Sequence, residues 1–132
     1  MTEDNKRPTM RPIGLALDCE NAQELADFYI RLLGWEQTHK GGEGWAGLGM
    51  PGMPGGQFTL AFQEVEGYQP PVWPWQPDKP GQMLHLDFLV EDLDEAVAFA
   101  LGCGATLAGE QYYDTSRTML DPAGHPFCLT LL

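Results

Sequence analysis

The stretch NAQELADFYIRLLG, residues 21–34, decides the fold, because its signals return in DLDEAVAFALGCG, residues 92–104. In the first stretch Asn21 is a good helix N-cap, and Glu24 stands three residues on, the spacing of a capping box. Leu25, Phe28, Tyr29, Leu32 and Leu33 then recur with the period of one buried helical stripe. Gly34 supplies the stop. In the second stretch Asp92 caps with Glu95 behind it, Leu93, Ala96, Val97 and Ala100 form the stripe, and Gly102 and Gly104 end it.

Each helix follows a strand-like run, residues 13–17 and residues 83–90. Aligning the two caps puts Leu15 on Leu86, Glu20 on Glu91 and Phe28 on Phe99. Further on, Phe58-Thr59-Leu60 falls on Phe127-Cys128-Leu129, each after a glycine-containing turn. Short pieces at 36–39, 45–48, 106–108 and 116–120, bounded by Gly and Pro, fit hairpin strands better than helices. Strand, helix and three strands thus occur twice. The expectation is an α+β domain of two βαβββ modules that form a curved mixed sheet around a concave ligand cavity. Residues 1–10 read as a polar tail and 11–132 as the domain, with module one at 11–66 and module two at 82–132.

The segment between them, residues 67–81, holds five prolines, which exclude a regular helix or a central strand. A flexible linker would be Gly/Ser-rich and would not carry Tyr68, Trp73 and Trp75. These aromatics either seal the end of the sheet or wall the cavity.

Composition narrows the function classes. The 132 residues fit one domain and carry a formal charge of −12, from 19 acidic against 7 basic residues. Such a surface repels phosphate backbones, which argues against nucleic acid, and attracts cations. No apolar run approaches the roughly 20 residues that span a bilayer, and residues 1–12 lack the apolar stretch of a signal peptide. Cys19, Cys103 and Cys128 are odd in number and widely spaced, the usage of reduced thiols in a cytoplasmic protein.

The chain resembles the vicinal oxygen chelate superfamily, the group of glyoxalases, bleomycin-resistance proteins and extradiol dioxygenases. The resemblance rests on Ala26-Asp27-Phe28-Tyr29 through Leu33-Gly34-Trp35, on His85-Leu86-Asp87 before Val90-Glu91-Asp92-Leu93, and on Asp121-Pro122-Ala123-Gly124-His125-Pro126-Phe127. It covers about residues 11–132 and implies the two-module sheet, a ligand in its concave face and commonly a homodimer. Enzymes of this family place a divalent metal on the first and last strands of each module. Those positions here are Gly14, Thr59, His85 and Cys128, with Gln63 the neighbouring candidate to Thr59. Gly14 has no side chain and Thr59 is a poor ligand, whereas catalytic zinc sites generally use three protein ligands. The expectation is therefore no resident cofactor. If a metal does bind, His85 and Cys128 hold it, joined by Gln63, Asp87 or a second chain.

Strand alternation assigns the faces. Leu84, Leu86, Phe88 and Val90 are expected to face the helices, leaving His85, Asp87 and Leu89 on the cavity side. Phe127, Leu129 and Leu131 go to the core, leaving Cys128 and Thr130. The first module contributes Gly14, Ala16 and Asp18, then Thr59, Ala61 and Gln63. His85 and Asp87, about 7 Å apart along one strand, are the candidates for acid–base catalysis or for shaping the pocket by a hydrogen bond. Cys128 is either a nucleophile activated by His85 or a small buried residue. His125 is expected to stabilise its turn, and Arg117 to pair with Asp114, Asp121 or an acidic ligand. The candidate ligand-binding residues are Asp18, Thr59, Gln63, Trp73, Trp75, Tyr113, Cys128 and Thr130. Two functions compete. One is binding of a small, cationic or aromatic molecule such as an antibiotic, with Trp45, Trp73, Trp75, Tyr112 and Tyr113 as stacking surfaces. The other is an isomerase, lyase or oxygenase reaction through His85 and Asp87.

Overall fold

Both helices begin where a side chain takes up an orphan backbone N–H. In the computed structural model, which describes residues 7–40, 42–52 and 58–131, the extended Asn21 accepts from the Glu24 N–H at 3.0 Å and Asp92 accepts from Glu95 at 3.0 Å. Glu64 adds a second acceptor for the first helix, taking the Ala22 N–H at 2.9 Å. The helices are α1 (Ala22–Leu33) and α2 (Leu93–Cys103). Gly34 ends α1 with φ 71°, in the left-handed region. The second helix runs through Gly102 and ends at Gly104 (φ 115°), one turn-forming glycine later than the first of the two expected.

The strands are β1 (Gly14–Cys19), β2 (Glu36–His39), β3 (Trp45–Gly49), β4 (Thr59–Glu64), β5 (Leu86–Leu89), β6 (Thr106–Leu107), β7 (Ser116–Leu120) and β8 (Pro126–Thr130). They form two four-stranded mixed sheets of identical order, β1-β4-β3-β2 and β5-β8-β7-β6, each with one parallel pair at its edge. The two βαβββ modules expected from the sequence are present. The early part of the polar tail, Gly41 and the glycine turn before Phe58 lie outside the described residues.

Three expectations need correction. The strand expected over 83–90 spans only Leu86–Leu89, and Leu84 is exposed rather than facing the helices. The hydrogen bond from Val90 N–H to Thr130 O shows that Pro126, Cys128 and Thr130 turn their backbone groups toward β5. Pro126 has no N–H to give there, so the ladder starts at Leu86 opposite Phe127. Second, Phe99 does not repeat the burial of Phe28: it is 58% exposed, whereas Phe28 is buried. The stripe of α1 is one position wider because the other side of that helix meets Phe127, whose ring lies 6.1 Å from that of Phe28. Third, the modules align two residues differently from the sequence superposition. Leu15 pairs with Leu60 but Leu86 pairs with Phe127, so the counterpart of Cys128 is Ala61. A two-residue shift keeps every side chain on its face.

One core joins both sheets. Tyr29 stacks on Phe62 of the first sheet at 5.4 Å and meets Phe127 of the second edge-on at 6.3 Å. Its hydroxyl donates to Asp121 Oδ2 at 2.7 Å, while Asp121 Oδ1 accepts from the Ala123 and His125 N–H groups, each at 2.9 Å. Burial pushes the Asp121 carboxyl up, and these donors oppose it. Among the described residues no helix is long and apolar enough to cross a membrane. Tyr29→Phe removes one donor from a buried carboxylate. It is expected to cost about 1–3 kcal/mol, read as a lower urea midpoint with an unchanged m value.

Candidate functional site

Because β5 and β8 are parallel neighbours in register, Asp87 lies directly opposite Cys128. The next strand, β7, sets Thr118 opposite Cys128 from the other side. Alternation turns all three side chains away from the helices. His85 sits two residues before Asp87 and turns the same way, so that its Nε2 lies 3.1 Å from Asp87 Oδ1. One ligand-type atom from each of His85, Asp87 and Cys128 falls within 4.8 Å of the others. The Thr118 hydroxyl is 3.6 Å from the Cys128 sulfur.

These residues form the floor of a cavity of about 590 Å³. Trp73 from the proline-rich segment and Tyr112 and Tyr113 from the loop before β7 line it, with Thr130 farther along β8. The Trp73 and Tyr112 rings meet edge to face at 6.0 Å. The buried indole N–H of Trp73 has no hydrogen-bond partner among the described residues.

The candidates named from sequence therefore separate. His85, Asp87, Cys128, Thr130, Trp73 and Tyr113 share this cavity. Asp18 and Gln63 do not line it: Gln63 Nε2 donates to Asp18 Oδ1 at 2.7 Å across β1 and β4. Asp18 instead borders a smaller cavity of about 260 Å³ with Tyr68 and His125. Thr59 packs against Gly47 in the first module, where a Cβ on Gly47 would come within 2.8 Å of its methyl. Trp75 is 70% exposed and lies over Gly81, outside the cavity. Trp45 stacks on His39 at 4.6 Å. Arg117 donates to the backbone carbonyls of Tyr113 and Ser116 rather than to the carboxylates of Asp114 or Asp121. The His125 ring nitrogen lies 2.6 Å from Asp18 O, a contact that links the turn before β8 to β1. The sequence reading missed Thr118, although alternation along 116–120 places it on the cavity face.

The four metal positions implied by the family resemblance do not converge. Gly14 and Thr59 pair with each other in the other sheet and line no part of this cavity. The module-one counterparts of His85, Asp87 and Cys128 are Gly14, Ala16 and Ala61, none with a ligating side chain. The Cys128 thiol is pushed up, first by burial and then by the Asp87 charge, against a lowering bond from Thr118. Its surroundings thus hold it protonated, which is unfavourable for the nucleophile reading.

The sequence profile of the glyoxalase-like domain matches residues 14–130. Among solved structures, a glyoxalase/bleomycin resistance protein/dioxygenase family enzyme from Burkholderia phytofirmans is 20% identical with a TM-score of 0.65, covering 90% of this chain and 96% of its own. TnmS3, an antibiotic-binding protein from a Streptomyces species, is 17% identical with a TM-score of 0.61, covering 96% and 98%. A lactoylglutathione lyase from Agrobacterium tumefaciens is 15% identical with a TM-score of 0.60, covering 95% and 96%. At such identities the likeness shows the fold alone. No curated protein sequence matches the chain.

In chelator-treated protein with Cys19 and Cys103 replaced by serine, Cys128 is expected to alkylate more slowly at neutral pH than an unfolded cysteine. A raised pKa leaves less thiolate, so the rate rises only at higher pH. Asp87→Asn removes a raising charge and is expected to move that onset downward.

Proposed function

Since the chain belongs to the glyoxalase-like domain family, we propose that it binds a small molecule in the cavity of its second module, and that this molecule is planar, aromatic and positively charged. The observation that carries this reading is the cavity's composition. Trp73, Tyr112 and Tyr113 line the same cavity as the Asp87 carboxylate, and neither Lys nor Arg is among the lining residues. Aromatic faces stack on planar rings and attract cations. Asp87 offers the counter-charge with its side chain 64% exposed. A net charge of −12 draws cations toward the whole surface. The volume of about 590 Å³ lies in the usual range of small-molecule sites. That a protein of the same fold, TnmS3, is an antibiotic-binding protein supports the drug-sequestering form of this reading.

A second reading is favoured by one contact. His85 and Asp87 at 3.1 Å are arranged as a general base with its orienting carboxylate, which suits an isomerase, lyase or oxygenase reaction. We place the protein in the cytoplasm on its thiol usage. We also propose a homodimer, since Leu89 (65% exposed) and Tyr113 (73% exposed), both of which line the cavity, leave apolar surface there for a second chain.

Titration with cationic planar antibiotics is expected to quench tryptophan fluorescence at micromolar concentrations. Trp73→Ala and Asp87→Asn are each expected to weaken binding by about tenfold, on the order of 1 kcal/mol. Absence of quenching across such a panel would reject the binding reading. For the catalytic reading, His85→Ala is expected to abolish turnover of a cognate substrate while the far-UV spectrum stays unchanged. Light scattering is expected to give twice the chain mass, and a monomer at every concentration would remove the dimer.

A further inference from the structure

We propose that the molecule bound in the second-module cavity carries a neutral, hydroxylated substituent, a diol or sugar-like group, about 7 Å from its positive charge, and that Ser116 and Thr130 bind that substituent. The inference rests on the binding reading above and names a second recognition element of the same ligand.

Strand register divides the cavity floor into two rows. Asp87, Cys128 and Thr118 lie side by side across β5, β8 and β7 in the first. Leu89, Thr130 and Ser116 lie side by side in the second, and all six residues line the cavity. Rows on one face are two residues, or about 7 Å, apart along the strands. The first row holds the carboxylate, and its Thr118 hydroxyl lies 3.6 Å from the Cys128 sulfur. In the second row the half-buried Ser116 and Thr130 face each other across the β7–β8 pair. Neither hydroxyl has a hydrogen-bond partner among the described residues.

Hydroxyl side chains are ordinary on a solvated strand face, and facing Ser and Thr commonly bond to each other. Here they do not. The repeat shows how the same row is closed when it serves structure alone. In the first module the equivalent row is Asp18, Gln63 and Trp45. There Gln63 donates to Asp18 at 2.7 Å, and Trp45 stacks on His39. In the second module Leu89 stands where Asp18 does, so Thr130 has no such partner and the row stays open to the cavity.

The chemistry of the row selects the ligand group. A serine or threonine hydroxyl is a donor and an acceptor at once. A pair of them is matched in full by groups that also do both, as hydroxyls do, whereas a carbonyl would only accept. An anionic substituent is disfavoured, since no Lys or Arg lines the cavity and Asp87 stands one row away. A second cation would find no carboxylate in this row. Leu89, beside Thr130, offers apolar surface to the carbon skeleton of the substituent.

The test compares two planar cations of one ring system by isothermal titration calorimetry of the full chain. The probes are 9-propylaminoacridinium and 9-(2,3-dihydroxypropylamino)acridinium, which share ring and charge and differ only in the diol. The wild-type chain is expected to bind the diol about tenfold more tightly, the net worth of two hydrogen bonds. In Ser116→Ala/Thr130→Val the ratio is expected to fall to about one, with circular dichroism as the check on the fold. Asp87→Asn is expected to weaken both cations by the same factor. Equal affinities in the wild-type chain would overturn the inference and leave the binding reading standing. So would a preference for the diol that survives the double substitution. Binding of neither cation would overturn the binding reading and this inference with it.

Discussion

The buried contact between Tyr29 and Asp121 is the constraint on which the rest of the molecule depends. A carboxylate only 4% exposed is costly unless its oxygens are met by donors. Here the donors are the Tyr29 hydroxyl and two backbone N–H groups of its own turn. The bond ties the helix of the first module to the turn that launches the last strand of the second. From that turn the chain enters β8, whose Pro126 stops the ladder to β5 and whose Cys128 faces Asp87. The position of the cavity floor is therefore set from the back of the sheet, through the core.

A duplicated architecture need not duplicate its chemistry. The two sheets share strand order and pairing pattern, and each has its parallel pair at one edge. The first module fills its inner face with glycine, alanine and a Thr59 wedged against Gly47, and covers part of it with the stacked His39 and Trp45. The second carries histidine, carboxylate, thiol and hydroxyl on the equivalent face. The proline-rich segment follows this asymmetry, since Trp73 reaches the second cavity while Trp75 rests on Gly81 outside it.

The second-module floor is rich in electron-pair donors and poor in positive charge. The Cys128 thiol is kept protonated by burial and by Asp87, and Arg117, the nearby guanidinium, is occupied by backbone carbonyls. Such a floor favours positive charge over negative charge. The arrangement gives little support to nucleophilic attack by sulfur.

Much of the fold was legible in the residues. The caps Asn21 and Asp92, the apolar stripes behind them and Gly34 and Gly104 after them act within a single turn of chain, so sequence alone determined two helices and their repeat. Alternation, equally local, placed His85, Asp87, Cys128 and Thr130 on one face. Distances between strands are not local. Asp18, Gln63 and Thr59 have the right alternation for a cavity wall, yet they belong to the other sheet, where Asp18 and Gln63 satisfy each other. The two-residue difference in register between modules is invisible in a superposition of caps, because it is set by strand pairing between distant segments. Burial of Phe28 but not Phe99 also required the second sheet to be in place. The sequence determined which residues could share a face. Packing of the two sheets against α1 decided which of them meet, because a contact between distant segments depends on how both are held.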